Sequence, residues 1–275
     1  MRTIHLPDGT AVAALGQGTW RMGEGLHSAR QEADALRQGI DLGMTLIDTA
    51  EMYGDGASER VVADAIAGQR ERVFLVSKVF PHHASRRAMQ GACEASLARL
   101  QTDCIDLYLL HWLGSTPLAE TVEAFERLRA AGKIARWGVS NLDVDDMEEL
   151  GSDGVAANQV LYNPGARGIE FNLLPWCAEN GIPVMAYSPV GQGGALLRNP
   201  ALVQVASRHG CCTPAQVAIA WTLRHPGVIS IPKAADPAHV AANAAAIGID
   251  LTPDDLAAID AAFPPPRRAQ PLEML

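Results

Sequence analysis

The chain has 275 residues, a formal net charge of −9 and 48% apolar residues, enough for a large buried core but the wrong sign for a nucleic-acid or anionic-membrane partner. No run of about 18 apolar residues offers a membrane span, and the opening segment MRTIHLPDGT lacks a signal-peptide core. The five cysteines show no CxxC spacing, so reduced thiols in a cytoplasmic protein are expected, without disulfides or a metal site.

Taken in order, Thr3–His5 and Thr10–Val12 flank the turn signal Pro7-Asp8-Gly9 and predict a small N-terminal hairpin. Strands and helices then alternate. Ala14–Trp20 is a glycine-broken strand with its following loop. Ser28 opens a helix, with Gln31 placed for a capping box, a stripe of Ala29, Ala33, Leu36 and Ile40, and a stop at Gly43. The Thr45–Asp48 strand precedes a helix over about Ser58–Gly68 with Val62, Ala65 and Ile66 inward. Next come a Val73–Lys78 strand and a helix near Ser85–Leu100, striped by Met89, Cys93, Leu97 and Leu100.

The Ile105–His111 strand leads to a helix opened by Thr116-Pro117, with Pro at the first helical position, and stopped at Gly132. Ala135–Ser140 is strand-like, followed by a short helix near Asp143–Leu150. Ala157–Tyr162 is a strand, Phe171–Asn180 a helix and Pro183–Ser188 a strand. Thr213-Pro214-Ala215-Gln216 opens a helix with a capping box, and Val228–Pro232 is the eighth strand of the series. Helices start at Asp236-Pro237 and Thr252-Pro253, and residues 264–275, opening on three prolines, read as a surface tail.

This alternation predicts a (β/α)8 TIM barrel, one domain over residues 1–275, with an N-terminal β-hairpin and an extra C-terminal helix. The competing doubly wound sheet would announce dinucleotide binding with GxGxxG, and none of the clusters Gly16/Gly18, Gly54/Gly56 and Gly191/Gly193 reaches the third glycine.

Three apolar strands end in polar chemistry: Asp48, then Tyr53 five residues on, Lys78 and His111. In a barrel these ends meet at one mouth. A phenol titrates near 10 and is a poor acid at neutral pH, whereas a neighbouring ammonium would lower its pKa and ease proton donation. Lys78 can supply that charge, Asp48 can aim it, and His111 can hydrogen-bond a substrate oxygen. The chemistry suggested is protonation of an oxygen that gains charge as hydride reaches a carbonyl. The hydride must come from a cofactor.

The motifs GQGTW (Gly16–Trp20), LIDTAEMYG (Leu46–Gly54), VSKV (Val76–Val79), LLHW (Leu109–Trp112), GVSNL (Gly138–Leu142), NQVLYNP (Asn158–Pro164), AYSPVGQGG (Ala186–Gly194) and IPKA (Ile231–Ala234) are collinear. On them the chain resembles the aldo-keto reductase family from Ile4 to about Phe263, and most of all bacterial members that reduce methylglyoxal and similar small carbonyls. The resemblance implies a catalytic tetrad of Asp48, Tyr53, Lys78 and His111. It implies that Ser140, Asn141 and Gln159 hold a nicotinamide amide and that Tyr187 stacks on its ring. Ser188, Pro189, Val190 and Gly193 belong to the loop matched to the pyrophosphate, Lys233 to the 2′-phosphate and Asn243 to the adenine. Gly18, Thr19, Asp48, Ile231 and Pro232 complete the implied cofactor contacts. NADPH is the expected cofactor, with NADH accepted more weakly. Family members that prefer NADPH often carry arginine where this chain has His239 and an acid where it has Ala242. An imidazole is mostly neutral at pH 7, so the phosphate preference should depend on pH.

Trp20 and Trp112 read either as rim packing or, with Tyr53 and His111, as substrate contacts. The pair His82-His83 suggests a metal, but no carboxylate at ligand spacing supports it, and a solvated loop is expected. Cys211-Cys212, before a capped helix, are expected to be inert. The leading function is NADPH-dependent reduction of small aldehydes or ketoaldehydes by a monomer. The alternatives are a cofactor-binding regulatory protein that senses redox state with little turnover, and a Schiff-base lyase using Lys78 as nucleophile.

Overall fold

A computed structural model describes residues 1–210 and 212–275; Cys211 lies outside the described residues. The strands are β1 (Thr3–His5), β2 (Ala11–Ala13), β3 (Gln17–Gly18), β4 (Leu46–Asp48), β5 (Phe74–Val79), β6 (Leu107–Leu110), β7 (Trp137–Ser140), β8 (Val155–Leu161), β9 (Val184–Tyr187) and β10 (Val228–Ser230). β1 and β2 form the expected antiparallel hairpin, with Ile4 opposite Val12. The other eight make one parallel sheet in the order β3 to β10. Parallel bridges between Leu15 and Ser230 and between Gly18 and Lys233 join its two edges, so the sheet closes on itself as a (β/α)8 barrel.

The helices run α1 (Ala29–Asp41), α2 (Ala57–Ile66), α3 (Ala88–Leu100), α4 (Leu118–Ala130), α5 (Val144–Leu150), α6 (Leu173–Glu179), α7 (Gly194–Leu197), α8 (Pro200–Arg208), α9 (Pro214–Thr222), α10 (Pro237–Ala245) and α11 (Pro253–Ala262). Capping boxes at Ser28 and Thr213 form as the spacing predicts. Pro117 differs from expectation. It is the N-cap of α4 and stays extended at ψ 139°, so the helix begins one residue later. The sequence reading passed over α7 and α8, although Asn199 caps α8 and Pro200 is its first residue. Among the described residues no helix is long and apolar enough to cross a membrane.

Strand periodicity sorts the core into two layers. Leu15, Leu46, Val76, Leu107, Leu109, Ala157, Met185 and Ile229 fill the barrel together with Ile4 and Val12 of the hairpin. Ile47, Leu75, Tyr108, Leu110, Val139 and Val160 face outward to the helices. The hairpin sits at the N-terminal end of the barrel, where Arg136, just before β7, bonds Asp8 and Thr10. The inner stripes Leu46–Asp48, Val76–Lys78 and Leu107–Leu109–His111 continue to the opposite end, and there the polar residues stand. The tail over residues 264–275 is largely exposed, with Leu272 half-buried against the outer core.

Candidate active site

Asp48 is the last residue of β4 and Lys78 the penultimate residue of β5, while His111 follows β6 directly. Both Asp48 and Lys78 are buried, Lys78 completely. Lys78 Nζ donates to Asp48 Oδ2 at 2.8 Å, to the Thr49 carbonyl at 2.8 Å and to Tyr53 Oη at 3.2 Å. An ammonium has three protons, so these bonds use all of its donors. Asp48 Oδ1 accepts from Gln159 Nε2 at 2.8 Å. The His111 ring lies edge-on to Tyr53, with centroids 5.7 Å apart. The four candidate catalytic groups therefore stand in one cluster, as the strand-end argument expects.

The electrostatics depart from one expectation. Burial is the largest influence on the Tyr53 phenol and pushes its pKa up; the Lys78 charge pulls it down but does not win. The phenol is thus held in its protonated form, ready to donate, and is not acidified in this state. Burial opposes the charge on Lys78, yet Asp48 and Tyr53 outweigh it and the ammonium pKa is raised. A fully bonded, firmly charged lysine is a poor nucleophile, which argues against the Schiff-base reading. Burial depresses His111 to about 2, with Lys78 adding to the effect, so the imidazole is neutral at any physiological pH. A neutral imidazole offers one N–H and one acceptor. It can orient a carbonyl oxygen but is no general acid near neutrality.

The groups expected to hold the nicotinamide also converge. Ser140 Oγ donates to the Gln159 carbonyl at 2.8 Å and accepts from Asn141 Nδ2 at 3.1 Å. Asn141, at a left-handed φ of 59°, also donates to the His111 carbonyl and accepts from Tyr187 Oη at 3.0 Å. Ser188, Gly191, Gln192, Gly193 and Gly194 all have positive φ, so the segment after β9 coils into tight turns closed by Gly191 N–H to Ser188 and Gly193 N–H to Val190. Pro189 and Val190 lie within it. Asn163 Nδ2 ties this loop down through the Ser188 carbonyl at 3.0 Å, a role the sequence reading missed although Asn163 sits inside a quoted motif.

At the barrel seam Gly18 N–H donates to the Pro232 carbonyl, and a Cβ at Gly18 would stand 2.8 Å from the Ile231 carbonyl oxygen. Only glycine permits that approach, which brings Ile231, Pro232 and Lys233 beside the end of β3. Lys233 is half-buried and, among the described residues, no carboxylate pairs with it. His239 is exposed in the first turn of α10, whose cap Asp236 accepts from the His239 and Ala238 N–H groups, and Asn243 is buried further along the helix. An unneutralised cation beside a helix start and a left-handed glycine loop is a fitting frame for a phosphorylated dinucleotide. Thr19 is completely buried, with its hydroxyl turned inward to the Asp48 carbonyl.

Trp20 is 39% exposed with the Arg21 guanidinium 4.5 Å over its ring. Trp112 packs against His111 and edge-on against Phe80, with centroids 4.8 and 5.2 Å apart. The sequence reading missed Phe80, two residues past Lys78 and so on the same inward stripe. It also missed Glu51, whose Oε1 accepts from the Phe80 N–H at 2.6 Å and lies 3.1 Å from His83 Nδ1. His83 therefore does have a carboxylate partner, from a loop distant in sequence. Even so, no group of three metal-ligating side chains occurs among the described residues.

Residues 14–263 match the model of the aldo/keto reductase family. The chain is 51% identical to the methylglyoxal reductase YeaE of Escherichia coli over 100% of its own length and 99% of that protein. It is 35% identical to the glyoxal reductase of Bacillus subtilis over 94% of itself and 92% of the relative. An aldo/keto reductase of Klebsiella pneumoniae, crystallised with NADP and acetate, superposes with a TM-score of 0.96 at 53% identity, covering 99% of both chains.

Proposed function

The chain belongs to the aldo/keto reductase family, and from that premise we propose that it is an NADPH-dependent reductase of small aldehydes and ketoaldehydes such as methylglyoxal. The observation that carries the reading is Lys78 Nζ, buried and shared between the Asp48 carboxylate and the Tyr53 phenol. NADPH held by Ser140, Asn141, Gln159 and Tyr187 would supply the hydride that the substrate carbonyl carbon accepts. Tyr53 gives its proton to the carbonyl oxygen as negative charge develops there. The phenolate left behind is stabilised by the ammonium 3.2 Å away, and Asp48 keeps that ammonium charged and aimed. His111, neutral, orients the carbonyl oxygen by a hydrogen bond. Water reprotonates Tyr53 after turnover.

Ser140, Asn141, Gln159 and Tyr187 form the seat for the nicotinamide; Gly18, Thr19 and the loop Ser188–Gly193 follow the pyrophosphate; Lys233, His239 and Asn243 take the adenosine end. Trp20, Trp112 and Phe80 wall the substrate opening. Every group invoked comes from one chain, so a monomer suffices. The test follows nicotinamide absorbance with methylglyoxal, simple aldehydes and sugars, using NADPH and NADH in parallel. Methylglyoxal-dependent oxidation of NADPH, faster than that of NADH, is the expected result; no oxidation of either cofactor with any carbonyl overturns the reading.

A further inference from the structure

The segment between β4 and α2 must carry Tyr53 back over Lys78 through left-handed residues at Gly54, Asp55 and Gly56. The N-cap of α2 is Gly56, which has no side chain to cap with, so the first turn of the helix is not fixed in the usual way. Ser58, in that turn, is completely buried. Its Oγ lies 2.7 Å from Thr19 Oγ1, 3.1 Å from the Thr19 carbonyl and 3.1 Å from Thr49 Oγ1, and its N–H donates to the Tyr53 carbonyl at 3.3 Å. Thr19 Oγ1 in turn lies 2.9 Å from the Asp48 carbonyl oxygen.

The direction of this hydroxyl chain is determined at its end. A carbonyl can only accept, so Thr19 spends its proton on Asp48. Thr19 Oγ1 must then accept from Ser58, and Ser58 Oγ must accept from Thr49. The three hydroxyls are aligned Thr49 to Ser58 to Thr19 to the Asp48 carbonyl, and all three residues are buried without exposure. Aligned chains of this kind strengthen bond by bond and are costly to interrupt. Thr49 and Asp48 also supply the two oxygens that hold Lys78, the carbonyl of one and the carboxylate of the other. Ser58 thus touches every residue bonded to the Lys78 ammonium: Thr49 through its hydroxyl, Tyr53 through its carbonyl, and Asp48 through Thr19.

We propose that Ser58 is a positioning residue for the tetrad, whose hydroxyl ties the Asp48–Thr49 strand end to the start of α2 while its N–H holds the Tyr53 loop, at the spacing that keeps Lys78 within hydrogen-bond reach of the phenol. The proposal rests on the reductase reading above. Ser58→Ala leaves the Thr49 hydroxyl without its acceptor and frees the strand end to shift. Misplacement of reacting groups by less than an ångström lowers rates steeply. The single-turnover rate of methylglyoxal reduction should fall about tenfold, and the alkaline limb of the pH–rate profile should move, because the ammonium no longer holds its place at the phenol. NADPH affinity should change by less than the rate, since the hydroxyl reaches the cofactor frame only through Thr19.

The measurements are stopped-flow single turnover across pH 6–10, cofactor binding by tryptophan fluorescence, and a crystal structure of the variant. Thr49→Val, which removes the first donor but keeps the shape, should move the same profile in the same direction by less. It serves if Ser58→Ala does not fold. An unchanged rate and profile overturns the proposal, and so does a lower rate with an unmoved profile, the mark of a merely structural role. If the wild-type enzyme shows no turnover, the reductase reading fails by itself. The crystal structure then decides about Ser58, and Lys78 still bonded to Tyr53 in the variant overturns its assignment.

Discussion

The two ends of the cleft are built on opposite principles. At the catalytic end, Lys78, Asp48, Gln159 and Thr49 are buried and hydrogen-bonded to one another. At the far end, Lys233 is half-buried with no carboxylate partner among the described residues, and His239 is exposed. A buried charge must be paired or it costs several kcal/mol, so the catalytic end has to be complete in advance. A solvated charge carries no such penalty and can wait for a phosphate. On the proposed assignments the chemical step depends on geometry inherited from folding, while cofactor choice depends on contacts made only on binding.

The sharpest way to test this contrast is Tyr53→Phe. It should reduce single-turnover reduction by about 10²–10⁴, the usual worth of a general acid, with NADPH affinity within a few-fold. Wild-type single-turnover kinetics in that variant would remove Tyr53 from the mechanism. Lys78→Met should abolish turnover and also destabilise the fold by about 3 kcal/mol, because Asp48 would remain buried with only Gln159 as a side-chain partner. Chemical denaturation measures this; unaltered stability would mean that the pair is not held as described.

Lys233→Ala breaks the other side of the comparison. NADPH should bind about one to two decades more weakly, the loss of one charge-assisted contact, with NADH and the folding stability hardly affected. Equal weakening of both cofactors would sink the phosphate assignment. His111 returns to the buried end. Its pKa is depressed to about 2 in the folded chain against an ordinary 6.5, so below pH 6.5 the unfolded chain takes up a proton that the folded chain refuses. Stability should therefore fall on acidification, and at pH 5.5 this one group should account for about 1.4 kcal/mol relative to pH 8. Denaturation curves at the two pH values should differ less in His111→Gln by that amount. The smallest effect belongs to His239→Arg, which should tighten NADPH only a few-fold at pH 8, as expected for an exposed charge screened by solvent. A gain equal to the Lys233 loss would mean the two positions are equally desolvated.

Much of this was legible in the residues themselves. Ser28 with Gln31 and Thr213 with Gln216 capped their helices as the spacing requires, because a cap is decided within four residues. The strand ends Asp48, Lys78 and His111 could be gathered at one mouth because a period of two places them on the same inner stripe as Leu46, Val76 and Leu109. The start of α4 was misjudged by one residue because Pro117 keeps an extended ψ that only its surroundings select.

The chain's own pattern determined the barrel, the family and the chemical types at the mouth, since each rests on local periodicity or on collinear motifs. Tertiary structure alone decided how those groups behave. That the Tyr53 pKa is raised and not lowered follows from burial, which no spacing encodes. That Glu51 reaches His83 between the segments after β4 and β5, and that Ser58 joins Thr19 to Thr49, depends on segments brought together only when the sheet forms. Burial and long-range hydrogen bonds are properties of the closed barrel, and they set the protonation and the placement on which the chemistry depends.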